Sequence, residues 1–504
     1  MRYDADILIV GGGINGAGIA RDAAGRGLSV VLCEQHDLAA HTSSASTKLI
    51  HGGLRYLEQY EFRLVAKALA ERSVLLRLAP HIIWPLHFVL PHESHLRPVW
   101  MIRLGLLLYD KLGSSHRTLA DSRSLDLTTH EVGAALRKHF AHGFMYSDAW
   151  VQDARLVVLN AMDAARRGAD IRVRTRCVSA RRNLDHWQAE LDEAQGRQST
   201  LRTRALVNAT GPWAARFLDD VAAIRDHPKL RLVKGSHIVV PALFNHDYAY
   251  IFQQPDRRIV FAIPYENAYT LIGTTDVDYT NDPADVHIAP DEINYLCAAA
   301  NRYFRREIKP ADVVWSYSGV RPLIDDGNGD ARSVSRDYRL VLDESDRAPL
   351  LNVFGGKITT HRRLSEEAVD KLAMALKRDL PAWTRDGDPL PGGDFGDAER
   401  LIASWAQRWP WLPVELAHRW LRHYGTCTEQ LLDGVHGIQD FGEHFGAGLY
   451  RVEVDYLIDQ EWARCADDII WRRTKLGLRM TDDAIQRLDA YIAARLKSFG
   501  VATA

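Results

Sequence analysis

The stretch Ala5–Gln35, ADILIVGGGINGAGIARDAAGRGLSVVLCEQ, reads as strand, glycine-rich turn, helix and second strand. Ile7 to Val10 is an unbroken apolar run, the pattern of a parallel strand covered on both faces. Gly11, Gly13 and Gly16 form a G-x-G-x-x-G. The first glycine lets the chain turn, the second lets a pyrophosphate approach the backbone, and the third lets helix and sheet pack closely. The helix amino terminus then offers unpaired N–H groups and a positive dipole end to phosphate. Gly27 stops the helix, Ser29 to Cys33 forms the next strand, and Glu34 ends it, where an acid can accept hydrogen bonds from a ribose. A lone glycine motif is weak evidence, but here its strand, helix and terminal acid are all in place. Glu34 disfavours a 2′-phosphorylated nucleotide and does not separate NAD from FAD.

A second strand supports the same sheet. RALVNATGPWA carries an apolar run, Ala205 to Val207, that closes in Ala209-Thr210-Gly211. Small residues at a strand end let a cofactor lie against the backbone.

The whole chain has 504 residues, enough for two or three cores. Its 63 basic and 65 acidic side chains leave a formal charge of -2, so no field draws in nucleic acid and no nucleic-acid partner is expected. The cysteines Cys33, Cys177, Cys297, Cys427 and Cys465 are isolated, with no CxxC pair. That argues against a disulfide framework or a metal site and for a reducing, cytoplasmic setting. MRYDADILIV is too short in apolar residues for a signal peptide, and no run reaches the ~18 apolar residues of a membrane span. Membrane contact is therefore expected to be peripheral.

Six segments, the two above with TSSASTKLIHGGLRYLE (42–58), KGSHIVVP (234–241), YSGVRPL (317–323) and FGGKITT (354–360), resemble the flavin-dependent aerobic glycerol-3-phosphate dehydrogenases. These belong to the wider flavoprotein family that includes D-amino acid oxidase and glycine oxidase. The resemblance runs from Asp6 to about Thr384. It implies noncovalent FAD, oxidation of sn-glycerol 3-phosphate to dihydroxyacetone phosphate, and electrons passed to a membrane quinone (ubiquinone or menaquinone) or, in a related branch, to oxygen.

By that resemblance Gly11, Gly13, Gly16 and Glu34 hold the ADP half of FAD. Ser43, Ser44, Ser46 and Lys48 lie along pyrophosphate and ribitol, and His51, Gly52 and Gly53 lie beside the flavin ring. Ala209, Thr210, Gly211, Gly356 and Lys357 complete the cofactor site. Arg55 reaches the substrate phosphate, and Arg321 and Lys357 add positive charge around the same pocket.

Chemistry supports these assignments. A doubly charged phosphate calls for cations, and arginine can grip it through two parallel N–H bonds; Arg336 in VSRDY is a third candidate. The Gly355-Gly356 entry aims the positive end of a following helix, with Lys357, at the ring. His237 titrates near neutrality and suits removal of the hydroxyl proton, with His51 as its competitor. Thr274 in LIGTTDVDY can hydrogen-bond substrate. His237, Arg321 and Lys357 are thus the candidate catalytic residues.

The expected fold is α/β: a Rossmann-like FAD-binding domain, an interleaved antiparallel-sheet substrate domain and a C-terminal helical domain. The cofactor domain is expected from about 1–75, 150–213 and 316–384, within a 1–384 oxidoreductase region. A Gly/Pro/Asp-rich linker follows at 385–397, then the helical domain at 398–504. In the last, Val454, Ile458, Trp462, Cys465 and Ile469, with Leu457 beside them, suggest one apolar helix face. Leu96–Gly113, LRPVWMIRLGLLLYDKLG, has basic flanks and an aromatic-apolar face; it reads either as an interfacial membrane helix or as a helix buried between domains. The expected location is the cytoplasmic face of the inner membrane. A homodimer is the candidate assembly, with the oligomeric state open.

Overall fold

The structure is a computed structural model, and it describes residues 3–93, 97–112, 119–193, 196–256, 258–325, 337–344 and 347–498. Two large sheets organise the chain as far as Phe354. The first has eight strands. Its centre is parallel: Ala5–Val10 lies between Arg197–Asn208 and Val30–Cys33, with Leu350–Phe354 and Asp170–Arg172 outside them. Val10 pairs with both Cys33 and Asn208, so the Gly11 turn and the Ala209-Thr210-Gly211 turn leave the sheet side by side. Ligands of open parallel sheets sit at such carboxyl ends. Arg339–Asp343 closes one edge antiparallel.

Helices Ile14–Gly25, Asp153–Arg166 and His361–Ala375 pack together over one face of this sheet. Ile7, Ile9, Ala17, Ala20, Val157 and Leu364 are buried there. The alanine-rich first helix brings its neighbours close, since small side chains let backbones approach. The other face is covered by an antiparallel hairpin, Thr175–Arg182 with Trp187–Glu193, and by Phe217 and Leu218.

The second sheet has ten strands, mostly antiparallel. Leu230–Pro241 pairs with Tyr269–Gly273 and, from Leu230 to Val239, with the whole of Trp315–Ile324. Sheet alternation puts Ile238, Val240 and Phe252 into one core, where Tyr303 from just beyond helix Pro290–Asn301 joins them, and Val239, Phe88, Tyr146 and Leu271 into another. Residues 316–324, expected with the cofactor sheet, thus belong to the second sheet, as do Leu49–Ile50. They bring the cofactor and substrate elements against each other.

Helix Val99–Leu112 buries Leu106 and Tyr109 against the second sheet and turns Trp100 (65% exposed), Leu104, Leu107 and Leu108 outward. It is a half-covered surface helix and not one enclosed between domains.

Beyond residue 384 the chain runs irregularly to Ala398, yet Leu390 is buried in the core of the first sheet. A separate core then forms around Trp405, Trp420, Tyr424, Phe441, Leu457 and Leu488. The expected continuous face from Val454 to Ile469 is broken. Helix Arg451–Glu461 ends at Trp462, whose φ is +58°, and Ala463 N–H donates back to Leu457 O at 3.1 Å, a Schellman-type end. The reversal sends Trp462 onto the core of the first sheet and leaves Ile469 in a separate wide turn, Asp468–Arg473.

Candidate active site

A cavity of about 420 Å3 opens where the Gly11 and Ala209 turns leave the first sheet. Gly11 has φ +113°, and a Cβ built on it would lie 2.5 Å from Ala209 O; one on Gly16 would fall inside the carbonyl oxygen of Gly11. Only glycine lets the two turns and the helix come this close. At one end Glu34 accepts hydrogen bonds from Gly12 N–H (2.7 Å) and His36 N–H (2.8 Å). Burial pushes its carboxyl up, and those two N–H donors pull the other way. Each carboxylate oxygen has a second lone pair with which to accept a ribose hydroxyl.

Ser43 closes over the turn, its Oγ accepting from Ile14 N–H at 3.0 Å. Across the cavity stand Thr210, Gly211, Trp213 and the cations Arg176 and Arg216. Thr210 Oγ1 donates to Asn208 Oδ1 at 2.7 Å, which fixes the turn. His36, His41 and Trp213 form an aromatic run, with ring centroids 4.9 and 4.7 Å apart. Burial, then the neighbouring His36, lowers the His41 pKa to about 4, so this run is uncharged at neutral pH.

At the other end lie Pro322, Gly355 and Gly356. Asn15 donates through Nδ2 to Gly355 O at 3.1 Å, while its Oδ1 is buried with no protein hydrogen-bond partner. A buried unsatisfied acceptor costs about 1–3 kcal/mol, so this atom marks a place for a ligand donor. An acid at one end, a helix start in the middle and an orphaned acceptor at the other suit an extended dinucleotide.

Two further groups lie outside the residues that line this cavity, the first in the segment that continues from Gly356. In the first, Lys357 Nζ lies 3.8 Å over the Tyr56 ring, and His51 N–H donates to Thr359 Oγ1 at 3.2 Å. Gly52 N–H donates to Tyr109 Oη at 2.9 Å, and Tyr109 in turn donates to Asp148, which pairs with buried Arg72. Gly53, with φ +80°, leads into the short helix Leu54–Gln59 that carries Arg55. The Arg55 side chain and all of Arg336 lie outside the described residues.

The second group stands on the second sheet. Arg321 pairs with Asp276, and its Nη2 donates to Thr274 Oγ1 at 3.2 Å. His237 stacks on Tyr317, with centroids 4.8 Å apart, and its Nε2 lies 3.0 Å from Thr47 Oγ1. Its Nδ1 is buried without a partner. Burial, then Arg321 and Lys48, hold its pKa well below the usual value, so the ring is neutral. Thr42 Oγ1 donates to Val320 O at 2.8 Å and ties this strand to the cofactor turn.

Ser46 and Lys48 do not line the cavity. Lys48 is 1% exposed and pairs with Asp153 at 2.8 Å, and Ser46 Oγ donates to the same carboxylate at 2.8 Å. Ser44 lines a neighbouring cavity instead. Asp153, Asn15, Trp213 and the Arg72–Asp148–Tyr109 set were not singled out by sequence. Asn15 sits within the glycine motif and Trp213 lies two residues beyond the ATG turn, which are the signals that could have found these two.

A dinucleotide-binding parallel sheet joined to a second sheet bearing a buried neutral histidine and an arginine suits a dinucleotide-dependent oxidoreductase. Residues 6–362 match the FAD dependent oxidoreductase family, and the chain belongs to it. Residues 385–501 match the C-terminal domain of alpha-glycerophosphate oxidase. Among relatives, the glycerol-3-phosphate dehydrogenase of Pseudomonas aeruginosa is 54% identical over 489 residues, 97% of this chain and 94% of the relative. The D-erythritol 1-phosphate dehydrogenase of Brucella abortus is 49% identical over 480 residues, 95% of each chain. The solved glycerol-3-phosphate dehydrogenase from Bacillus halodurans complexed with FAD aligns with TM-score 0.73 at 26% identity, over 98% of this chain and 88% of that one. The cofactor is FAD, and Asn15, Glu34, Ser43 and the glycine turn are the residues that fit it.

Proposed function

We propose that the protein oxidises sn-glycerol 3-phosphate to dihydroxyacetone phosphate and passes the electrons to a membrane quinone. Bound flavin supplies the hydride acceptor for the substrate C2–H. His237, kept neutral by burial and by the neighbouring cations Arg321 and Lys48, is the base for the hydroxyl proton, and that neutral imidazole beside Arg321 carries the reading. Arg321 and Thr274 orient the oxygen being oxidised, and Arg55, Arg336 and Lys357 bind the phosphate. The relatives named above act on sugar-alcohol phosphates, which supports the substrate class.

Peripheral attachment at the cytoplasmic face of the inner membrane is supported by helix Val99–Leu112. Trp100, Leu104, Leu107 and Leu108 face outward between Arg97, Arg103 and Lys111. Among the described residues no helix is long and apolar enough to cross a membrane. Oxygen as acceptor is the alternative to ubiquinone or menaquinone.

The Brucella relative favours a second reading on the same chemistry, a longer polyol phosphate. Anaerobic bleaching of the visible flavin band decides among substrates: glycerol 3-phosphate should bleach it fastest, and glycine not at all. Faster bleaching by D-erythritol 1-phosphate would transfer the assignment to the four-carbon substrate. Bleaching by glycine alone would overturn the phosphate reading.

A further inference from the structure

The C-terminal domain touches the cofactor cavity only indirectly, but it does so at one charged cluster. The turn Asp468–Arg473 reaches over the two segments that form the Glu34 end of the cavity. Arg473 grips Asp37 with two bonds, Nη1–Oδ2 at 2.6 Å and Nη2–Oδ1 at 2.8 Å. Both side chains are fully enclosed, at 0% and 1% exposure. Arg472 Nε adds a bond to Asp37 Oδ2 at 2.6 Å. On the second segment Arg174 Nη2 donates to both oxygens of Asp468, at 2.9 and 3.1 Å.

These two segments are also tied to each other. Glu34 N–H donates to Arg172 O, Thr175 N–H to Glu34 O and Arg174 N–H to His36 O, at 2.8–2.9 Å. Glu34 and His36 therefore sit on a strap whose far side is held by the C-terminal domain. A bidentate arginine–carboxylate pair fixes direction as well as distance, which is what a positioning contact requires. A second buried pair, Arg155–Glu461, ties the domain to helix Asp153–Arg166, and Arg473 Nη2 also donates to Glu461 O at 2.6 Å, so D37N is the variant that removes the strap contact alone.

We infer that the C-terminal domain positions the cofactor-binding strap: Arg473 and Arg472, through Asp37, hold Glu34 and His36 in the conformation that retains the adenosine half of FAD. Arg473 is a positioning residue and touches neither flavin nor substrate. The inference rests on the cofactor and is independent of the substrate.

The test uses the FAD-loaded full chain. Flavin release after dilution is followed by its fluorescence, and FAD is titrated back into flavin-free protein. Outer-layer partners of a ligand-holding group change affinity by roughly 10–100-fold in metal sites, so R473Q and D37N should each raise the FAD dissociation constant by about tenfold. At saturating FAD their turnover should stay within about twofold of the parent, the split expected for a residue outside the chemistry. R473K, which keeps the charge and loses the fork, should fall between. R419Q is the control. Its partner Glu453 lies within the C-terminal domain, so it should lower thermal stability and leave FAD affinity unchanged. Unchanged affinity in R473Q and D37N, or an equal loss in R419Q, overturns the inference. Should R473Q fail to fold, R472Q with D37N carries the same comparison.

Discussion

His237 shows how a residue acquires a role from its surroundings. A histidine at the start of an alternating strand reads equally as a packing residue or a base. The structure buries it against Tyr317 beside Arg321, and burial followed by that cation keeps it neutral. A base with a depressed pKa loses activity only as pH falls through that lowered value. Anaerobic flavin reduction should therefore stay flat through pH 6.5, with its acid limb well below; a limb at 6.5 would contradict the assignment. His237→Ala should slow that reduction by about 10²–10⁴-fold, as read by stopped-flow absorbance. Arg55→Ala should lower kcat/KM for glycerol 3-phosphate by about tenfold or more, since a bond to a charged group contributes ~1.5–3 kcal/mol; a change under about threefold would remove it as the phosphate clamp. Lys48 is the opposite lesson. A lysine in a serine-rich segment looked free to meet phosphate, and nothing local announced Asp153, 105 residues away, as its partner.

At the scale of elements, what could be read from sequence was what has a local cause. The Gly11–Gly16 turn, its flanking strands and Glu34 follow from steric needs expressed within thirty residues, and the structure has them all. Sheet membership is not local. Trp315–Ile324 joins the second sheet because it pairs along Leu230–Pro241, a register no nearby residue encodes. Nor was the end of helix Arg451–Glu461 legible, because Trp462 takes a left-handed conformation that glycine usually supplies. Helix Val99–Leu112 was readable as amphipathic, and burial of Leu106 and Tyr109 settles which face is covered. The double variant Leu107→Glu with Leu108→Glu should move the protein from the membrane pellet to the supernatant with its flavin spectrum intact. Retention in the pellet would exclude this helix as the contact.

At the scale of the whole molecule, the C-terminal domain is joined to the rest through a cluster of buried charge pairs. Asp37, Glu461 and Asp468 meet Arg155, Arg174, Arg472 and Arg473 where the C-terminal domain seats on the first sheet. Burial alone would raise the Asp468 pKa, but Arg472, Arg473 and Arg174 overcome it and hold it at about 2. A carboxylate lowered in the folded state adds stability above its unfolded value and loses it as pH falls through the folded one. Between about pH 4 and 2 the protein should lose about 2 kcal/mol from this group, and Asp468→Asn should flatten that part of a denaturant-midpoint series against pH. The central claim concerns chemistry at the junction of the two sheets. It is tested most directly by an anaerobic single turnover with glycerol 3-phosphate deuterated at C2. Rapid flavin bleaching by the unlabelled substrate and a primary isotope effect on that bleaching are the results expected from hydride transfer off C2. A flavin that stays oxidised, or one that bleaches equally fast with both substrates, would contradict it.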